Sequence, residues 1–381
     1  MRNIRRTPLA LLAGATALVA LAACDSKGDA AGAAAAGGPI KVSASDTACD
    51  VSATTANAGN LTFEITNEGT KVTEFYLYAE GDRIMGEVEN IAPGLNRRLI
   101  VEVADAGKYQ TACKPGMAGT GIRGEFTVTG GAPQQGDANA QKAQATKSYD
   151  DYIANNTAAL EEETAKFVDL VKAGKADEAK AAYARTRVYY ERIEPVAEKF
   201  GELDPAIDVR EADLEQGQQF TGFHRLEKDL FKTGLQADSP QIADKLLTDV
   251  KDLVAKTKTL QLTALDLANG AKGLLDEVAT HKITGEEETF SHTDLWDFQA
   301  NVDGSKGAIT SLRPILQAKD PALVSTLDKE FANVQGLLDK QRAGDGFKLY
   351  TDLSQDQVKE FASAVDALSE PLSKVAEVVS K

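Results

Sequence analysis

The chain of 381 residues carries 42 Lys and Arg against 58 Asp and Glu, a formal net charge of −16. A surface this negative repels nucleic acid and concentrates cations, so DNA- and RNA-binding roles are excluded and the charge by itself decides nothing further. Only three histidines and three cysteines serve the whole length, so a metal site here must lean on carboxylates.

Arg2, Arg5 and Arg6 form a basic leader, an apolar run follows from Leu9 to Ala20, and Leu21-Ala22-Ala23-Cys24 comes next. The run falls short of the ~20 apolar residues a spanning helix needs, and its order of basic, apolar and small residues is that of an export signal. The cysteine stands where a lipobox places the residue that is diacylated after cleavage. Residues 1–23 are therefore expected to be removed and Cys24 to become the lipid anchor; a plain secretory signal is the alternative. No other apolar stretch reaches a spanning length, and the export signal predicts a protein on the outer face of the cytoplasmic membrane or in a periplasm. Without the three leader arginines the net charge is −19. Residues 24–39, rich in Ala, Gly and small polar residues, read as a flexible tether.

From Ile40 the pattern alternates. Leu61, Phe63 and Ile65 are interleaved with Thr62, Glu64 and Thr66, Leu99, Val101 and Val103 repeat the rhythm, and Phe126 and Val128 close it. Turn signals lie between them at Asn67-Glu68-Gly69, Ala92-Pro93-Gly94-Leu95, Ala106-Gly107-Lys108 and Lys114-Pro115-Gly116. Short strands at this spacing predict a small β-sandwich over residues 40–129. Residues 130–146 read as a second linker. After Ser148 the period lengthens: Leu160, Phe167, Leu170 and Val171 share one helical stripe, and comparable stripes recur as far as Val379. Residues 147–381 are thus expected to form an all-α bundle, with breaks at Ala173-Gly174-Lys175, Phe200-Gly201, Asp238-Ser239-Pro240, Lys319-Asp320-Pro321 and Gly344-Asp345-Gly346.

In the helical part, Glu191-Arg192-Ile193-Glu194 and His224-Arg225-Leu226-Glu227 each place two ligand-type side chains at i and i+3, on one helix face. Two helices so equipped supply three carboxylates and one imidazole, a hard donor set that suits iron and is also open to zinc or manganese. Solvated acidic faces and a core histidine are the plainer readings of the same residues. Pro195 either kinks its helix, freeing the carbonyl of Glu191 beside the site, or starts a new helix.

The stretches Tyr189–Pro195, Leu203–Asp208, Phe220–Glu227 and Glu286–Asn301 resemble the imelysin-type domain and, more closely, the EfeO-type family of extracytoplasmic iron-uptake components. The resemblance runs from about residue 40 to the C-terminus and covers both domains in order. It implies a cupredoxin-like sandwich followed by an imelysin-type bundle, with Glu191, Glu194, His224 and Glu227 as the metal site. It also implies ferrous or ferric iron as cargo, and an EfeU-type permease and an EfeB-type haem peroxidase as partners. His292, Asp294 and Asp297 belong to the same family-like stretch; a supporting layer, a second site or a helix cap around Thr293 are all open for them.

In the sandwich, Cys113-Lys114-Pro115-Gly116-Met117 on the loop before the last strand is similar to a blue-copper ligand loop. That centre also needs two histidines and this domain has none, so blue-copper electron transfer is excluded. The EfeO-type resemblance implies Cys49, Glu74 and Cys113 as metal ligands, and spacing adds Met117. A Cys49–Cys113 disulfide is the competing fate of the two thiols in an exported protein. Peptidase chemistry is disfavoured: an inverted zincin needs His-x-x-Glu-His, Lys228 stands where the second histidine would, and no His-Glu-x-x-His occurs. The expectation is a lipid-anchored iron-capture protein without turnover of its own. A copper-handling lipoprotein is a further reading. So is a cation-dependent polysaccharide-binding one, since an imelysin-type relative binds alginate.

Overall fold

The computed structural model describes residues 38–130, 136–214 and 216–381. The expected leader, the lipobox with Cys24 and nearly all of the tether lie outside the described residues.

Nine strands build the first domain: β1 (Ile40–Ala44), β2 (Cys49–Val51), β3 (Thr55–Asn57), β4 (Gly59–Asn67), β5 (Thr73–Tyr78), β6 (Ile84–Ile91), β7 (Asn96–Val103), β8 (Gly107–Cys113) and β9 (Ile122–Thr129). They form two sheets, ordered β2-β1-β4-β7 and β3-β9-β8-β5-β6. β1 runs parallel to β4 and β3 parallel to β9, while the other pairings are antiparallel. Alternation sends Leu61, Phe63 and Ile65 of β4 inward against Phe75 and Phe126 of the facing sheet. Phe63 packs on both rings, at centroid separations of 5.1 and 5.7 Å. Phe75 and Leu77 fill this core from β5, while Glu74, Tyr76 and Tyr78 point to the other face of the sheet, as the period of two requires.

The second domain is helical: α1 (Gly136–Lys172), α2 (Ala176–Glu191), α3 (Leu203–Asp208), α4 (Gly222–Lys228), α5 (Ser239–Thr257), α6 (Ala264–Thr280), α7 (Asp294–Lys319), α8 (Pro321–Asp339), α9 (Gln355–Leu372) and α10 (Val375–Ser380). α1 begins at Gly136, so most of the stretch expected as linker 130–146 is helix. Its run of Ala, Gln and Lys has high intrinsic helix propensity, which outweighs the linker-like composition. Each expected break is found, and the one at Gly344 is a small hairpin, β10 (Arg342–Ala343) with β11 (Gly346–Phe347). Local chemistry sets several helix starts: Thr263 with Asp266 forms a capping box for α6, Ser354 with Gln357 does so for α9, and Asp320 caps α8.

α6 and the 3₁₀ segment Glu194–Phe200 meet the sandwich. Lys199 Nζ donates to the carbonyls of Ile84 and Met85 at 3.0 and 3.2 Å, and Asn269 Nδ2 to that of Ile100 at 2.8 Å. At the C-terminus Asn60 Nδ2 donates to the carbonyl of Ser380, and Arg98 pairs with Glu377.

Candidate metal site

α2 ends at Glu191, and Pro195 opens a 3₁₀ segment, Glu194–Phe200, so the proline starts a new helix rather than kinking the old one. The carbonyl of Glu191, which a proline nitrogen cannot serve, accepts instead from Asn301 Nδ2 of α7 at 3.2 Å. The turn so made carries Glu194 beside Glu191. Two glycines permit the packing around it. A Cβ on Gly270 of α6 would stand 1.7 Å from the carbonyl oxygen of Pro195, and one on Gly222, at the start of α4, 2.1 Å from that of Ile207. Gly222 also has φ +81°, a left-handed backbone that costs other residues strain. Thr221 Oγ1 donates to the carbonyl of Ala206, so α3, which ends in Asp208, is tied to the helix that carries His224 and Glu227.

Among the described residues, ligand atoms gather in overlapping groups, all within 4.8 Å of one another in each: His224, Glu227 and Glu288; Asp208, His224 and Glu287; and Glu191, Glu194 and Asp208. The four residues singled out by i,i+3 spacing therefore fall into two halves of one acid cluster. His224 and Glu227 make one half, Glu191 and Glu194 the other, and Asp208 is shared between groups on both sides. Spacing missed Asp208, Glu287 and Glu288, because they come from a separate short helix and a loop. All three lie in stretches that carry the family resemblance, the one signal that could have found them.

His224 Nδ1 is 3.2 Å from Glu227 Oε2, while its Nε2 has no hydrogen-bond partner and faces Glu287 Oε1 at 3.5 Å and Asp208 Oδ1 at 3.7 Å. Glu227 Oε1 accepts from the backbone N–H of Phe290 and of Ser291, both at 2.7 Å. Burial opposes ionisation of Glu227, but His224 and those two N–H groups outweigh it and hold the carboxyl below its usual value.

Two buried cations balance the acids. Arg187, fully buried on α2, meets Asp208, Glu287 at 2.5 Å, Glu191 and Glu288 at 2.7 Å, and Asp297 at 3.4 Å. Lys282, on the 3₁₀ turn after α6, reaches Glu194 at 2.7 Å and Glu191 at 3.2 Å. The acids divide accordingly. Burial would raise Glu287 and Glu191, but Lys282, His224 and Arg187 override it at Glu287, and Arg187 and Lys282 at Glu191; both are lowered, Glu287 well below the usual carboxylate range. Glu194, Glu288 and Asp297 are pushed well above it, first by burial and then by neighbouring carboxylates. Asp297 thus flanks the cluster, and Asp294 Oδ1 accepts from the Glu288 N–H that orients the loop. His292 joins none of these groups; it sits half-buried with φ +59°, its carbonyl accepting from Tyr350 N–H. The donor set of many oxygens and one unpartnered imidazole nitrogen fits a hard or borderline divalent or trivalent ion such as iron.

The sandwich residues do not converge in the same way. Cys49 and Cys113 form a disulfide that joins β2 of one sheet to β8 of the other, so the structure takes the staple alternative and neither sulfur is a thiolate. Cys113 pairs with Phe75 and faces the core, whereas Glu74, one residue earlier, lies on the opposite face, where Tyr76 OH donates to it at 3.0 Å. The two lie on neighbouring strands, β5 and β8, but on opposite faces of their sheet, so the four-ligand set of Cys49, Glu74, Cys113 and Met117 is not assembled. Met117 occupies the turn after β8 with φ +58°.

The chain matches the Imelysin family over residues 145–375 and the cupredoxin-like domain family over residues 14–128. Among curated proteins it is 40% identical over 342 residues to the iron uptake system component EfeO of Escherichia coli K12, covering 88% of this chain and 90% of that one. EfeO of Escherichia coli O157:H7 and of Shigella flexneri match with the same identity and coverage. A crystal structure of reduced auracyanin from Roseiflexus castenholzii aligns with 25% of this chain and 100% of its own at 18% identity, with a TM-score of 0.22 that bears on neither fold nor function. By the length and level of these matches, the chain belongs to the EfeO family, with a cupredoxin-like domain ahead of an imelysin domain.

Proposed function

We propose that the chain captures iron outside the cytoplasm in the acid cluster of its helical domain and delivers it to a membrane permease. The observation that carries the reading is the unpartnered Nε2 of buried His224, facing carboxylates of Asp208 and Glu287 and close to Glu227 and Glu288. Iron loads at this half, and Glu191 and Glu194 form the second half, linked through Asp208. The EfeO relatives are named iron uptake system components, which agrees with that donor set. An EfeU-type permease receives the ion and an EfeB-type haem peroxidase governs its oxidation state; the chain itself turns nothing over. Cys24 holds the protein at the membrane by its acyl chains; among the described residues no helix is long and apolar enough to cross a bilayer.

The test is titration of ferrous iron, under exclusion of oxygen, into the full chain and into His224→Ala/Glu227→Gln. Affinity should fall by about 100-fold or more with helicity retained, because both groups are direct ligands. Undiminished binding in the double variant sinks the assignment. Cys24→Ser should move the protein from membrane to soluble fraction; equal retention of both forms refutes the anchor.

A further inference from the structure

Lys282 is fully buried, yet a protonated amine cannot ligate a metal, so iron capture at His224 gives it no direct part. Its Nζ donates to Glu194 Oε1 at 2.7 Å and Glu191 Oε2 at 3.2 Å, with Glu287 Oε1 at 3.6 Å. Asn301 Nδ2 donates to the same two glutamates, to Glu191 Oε2 at 2.9 Å and Glu194 Oε2 at 2.7 Å, so the pair is held in place from two directions. These glutamates form with Asp208 a group of the size that holds an ion. Glu191 Oε1 is buried and accepts no hydrogen bond, although Arg187 Nη2 lies 2.7 Å away. An ammonium is a compact point charge with three donors, and here it stands among carboxylates as a small cation would.

We propose that Lys282 sets the ion count of the site at one: the Glu191–Glu194–Asp208 group is a second cation site that the lysine fills with its own tethered charge. The inference rests on the reading that the His224 half binds iron. Asp208 and Glu287 connect the two halves, so an ion in the second would share carboxylates with the first. A protein that hands its cargo on gains from having one ion and a fixed charge there, since a fixed charge never leaves with the cargo or competes with it for release.

The experiment counts ions per chain by equilibrium dialysis of the full-length protein against ferrous iron without oxygen, and against Mn²⁺ with paramagnetic resonance detection. Wild type and Lys282→Arg should each bind one ion. Lys282→Gln and Lys282→Met should each bind two, with magnetic coupling between paired Mn²⁺ ions, and Glu194→Gln added to Lys282→Gln should return the count to one. Gln keeps a polar tip and Met fills the volume without one, so a folding defect in either leaves the other to decide. One ion in both uncharged variants, or two already in wild type, overturns the inference while leaving iron capture intact. No ion in wild type overturns the capture reading itself.

Discussion

Replacing Arg187 by Met tests whether the cluster is an electrostatic unit rather than a set of neighbouring acids. The guanidinium is fully buried and meets carboxylates of Asp208, Glu287, Glu191, Glu288 and Asp297, four of them at 2.7 Å or closer. Removing one partner of a buried ion pair costs about 3–5 kcal/mol because the other charge stays uncompensated. In a helical domain of this size each kcal/mol moves the melting temperature by about 2–4 °C, which gives a fall of about 6–20 °C. Thermal unfolding followed by circular dichroism at 222 nm, at pH 7 with chelator, reads it. The sign with pH follows from the same groups. Without Arg187 the ionised acids lose their main counter-charge and their affinity for protons rises, so the deficit should shrink as the pH is lowered and they are neutralised. Ferrous iron should restore much of the lost stability, since 100-fold excess over the dissociation constant is worth about 2.7 kcal/mol. A variant within about 1 kcal/mol of wild type at pH 7, unresponsive to iron, would refute the reasoning.

Burial raises Asp294 to about 6, and its Oδ2 has no partner, so the stability its neutral form provides is present below the ordinary carboxylate value and lost as pH rises through 6. Asp294→Asn should therefore be more stable by up to about 3 kcal/mol at pH 7 and by nothing at pH 4, read as urea midpoints; an equal difference at both pH values excludes the titration. Cys49→Ser/Cys113→Ser opens a loop of 64 residues and should cost the sandwich about 4 kcal/mol by chain entropy while the iron stoichiometry is unchanged; lost iron binding would return the thiols to a metal site. Gly222→Ala meets both a left-handed backbone and the carbonyl of Ile207, and should displace His224, with iron affinity falling more than about tenfold while the sandwich melts as before; retained affinity would show that α3 and α4 are not coupled.

The two domains are readable because their periods differ. Leu61, Phe63 and Ile65 can bury one side only as a strand, and Leu160, Phe167 and Val171 only as a helix. The first eleven residues of α1 read as linker because short Ala- and Gln-rich runs suit a linker as well as a helix, and only continuation into a packed stripe decides between them. Glu74 shows the opposite limit. The resemblance groups it with the two cysteines, but alternation along β5 turns it away from Cys113, and that depends on register, which no residue count supplies.

The acid cluster divides along the same line. Spacing along one helix finds pairs such as His224 with Glu227, because the chain itself holds them together. It is silent on Asp208, Glu287 and Glu288, which are brought in by α3 and by a loop fastened through Glu227 and Asp294. Arg187 was the least legible of all. At i−4 from Glu191 it looks like one more solvated pair on an acidic helix, of a kind worth only a few tenths of a kcal/mol. Buried, the same pair becomes the condition for having the site. So many carboxylates cannot lie together in a low-dielectric interior without fixed cations to hold some of them ionised, and Glu191 and Glu287, the two held low beside Arg187 and Lys282, are where that balance is struck.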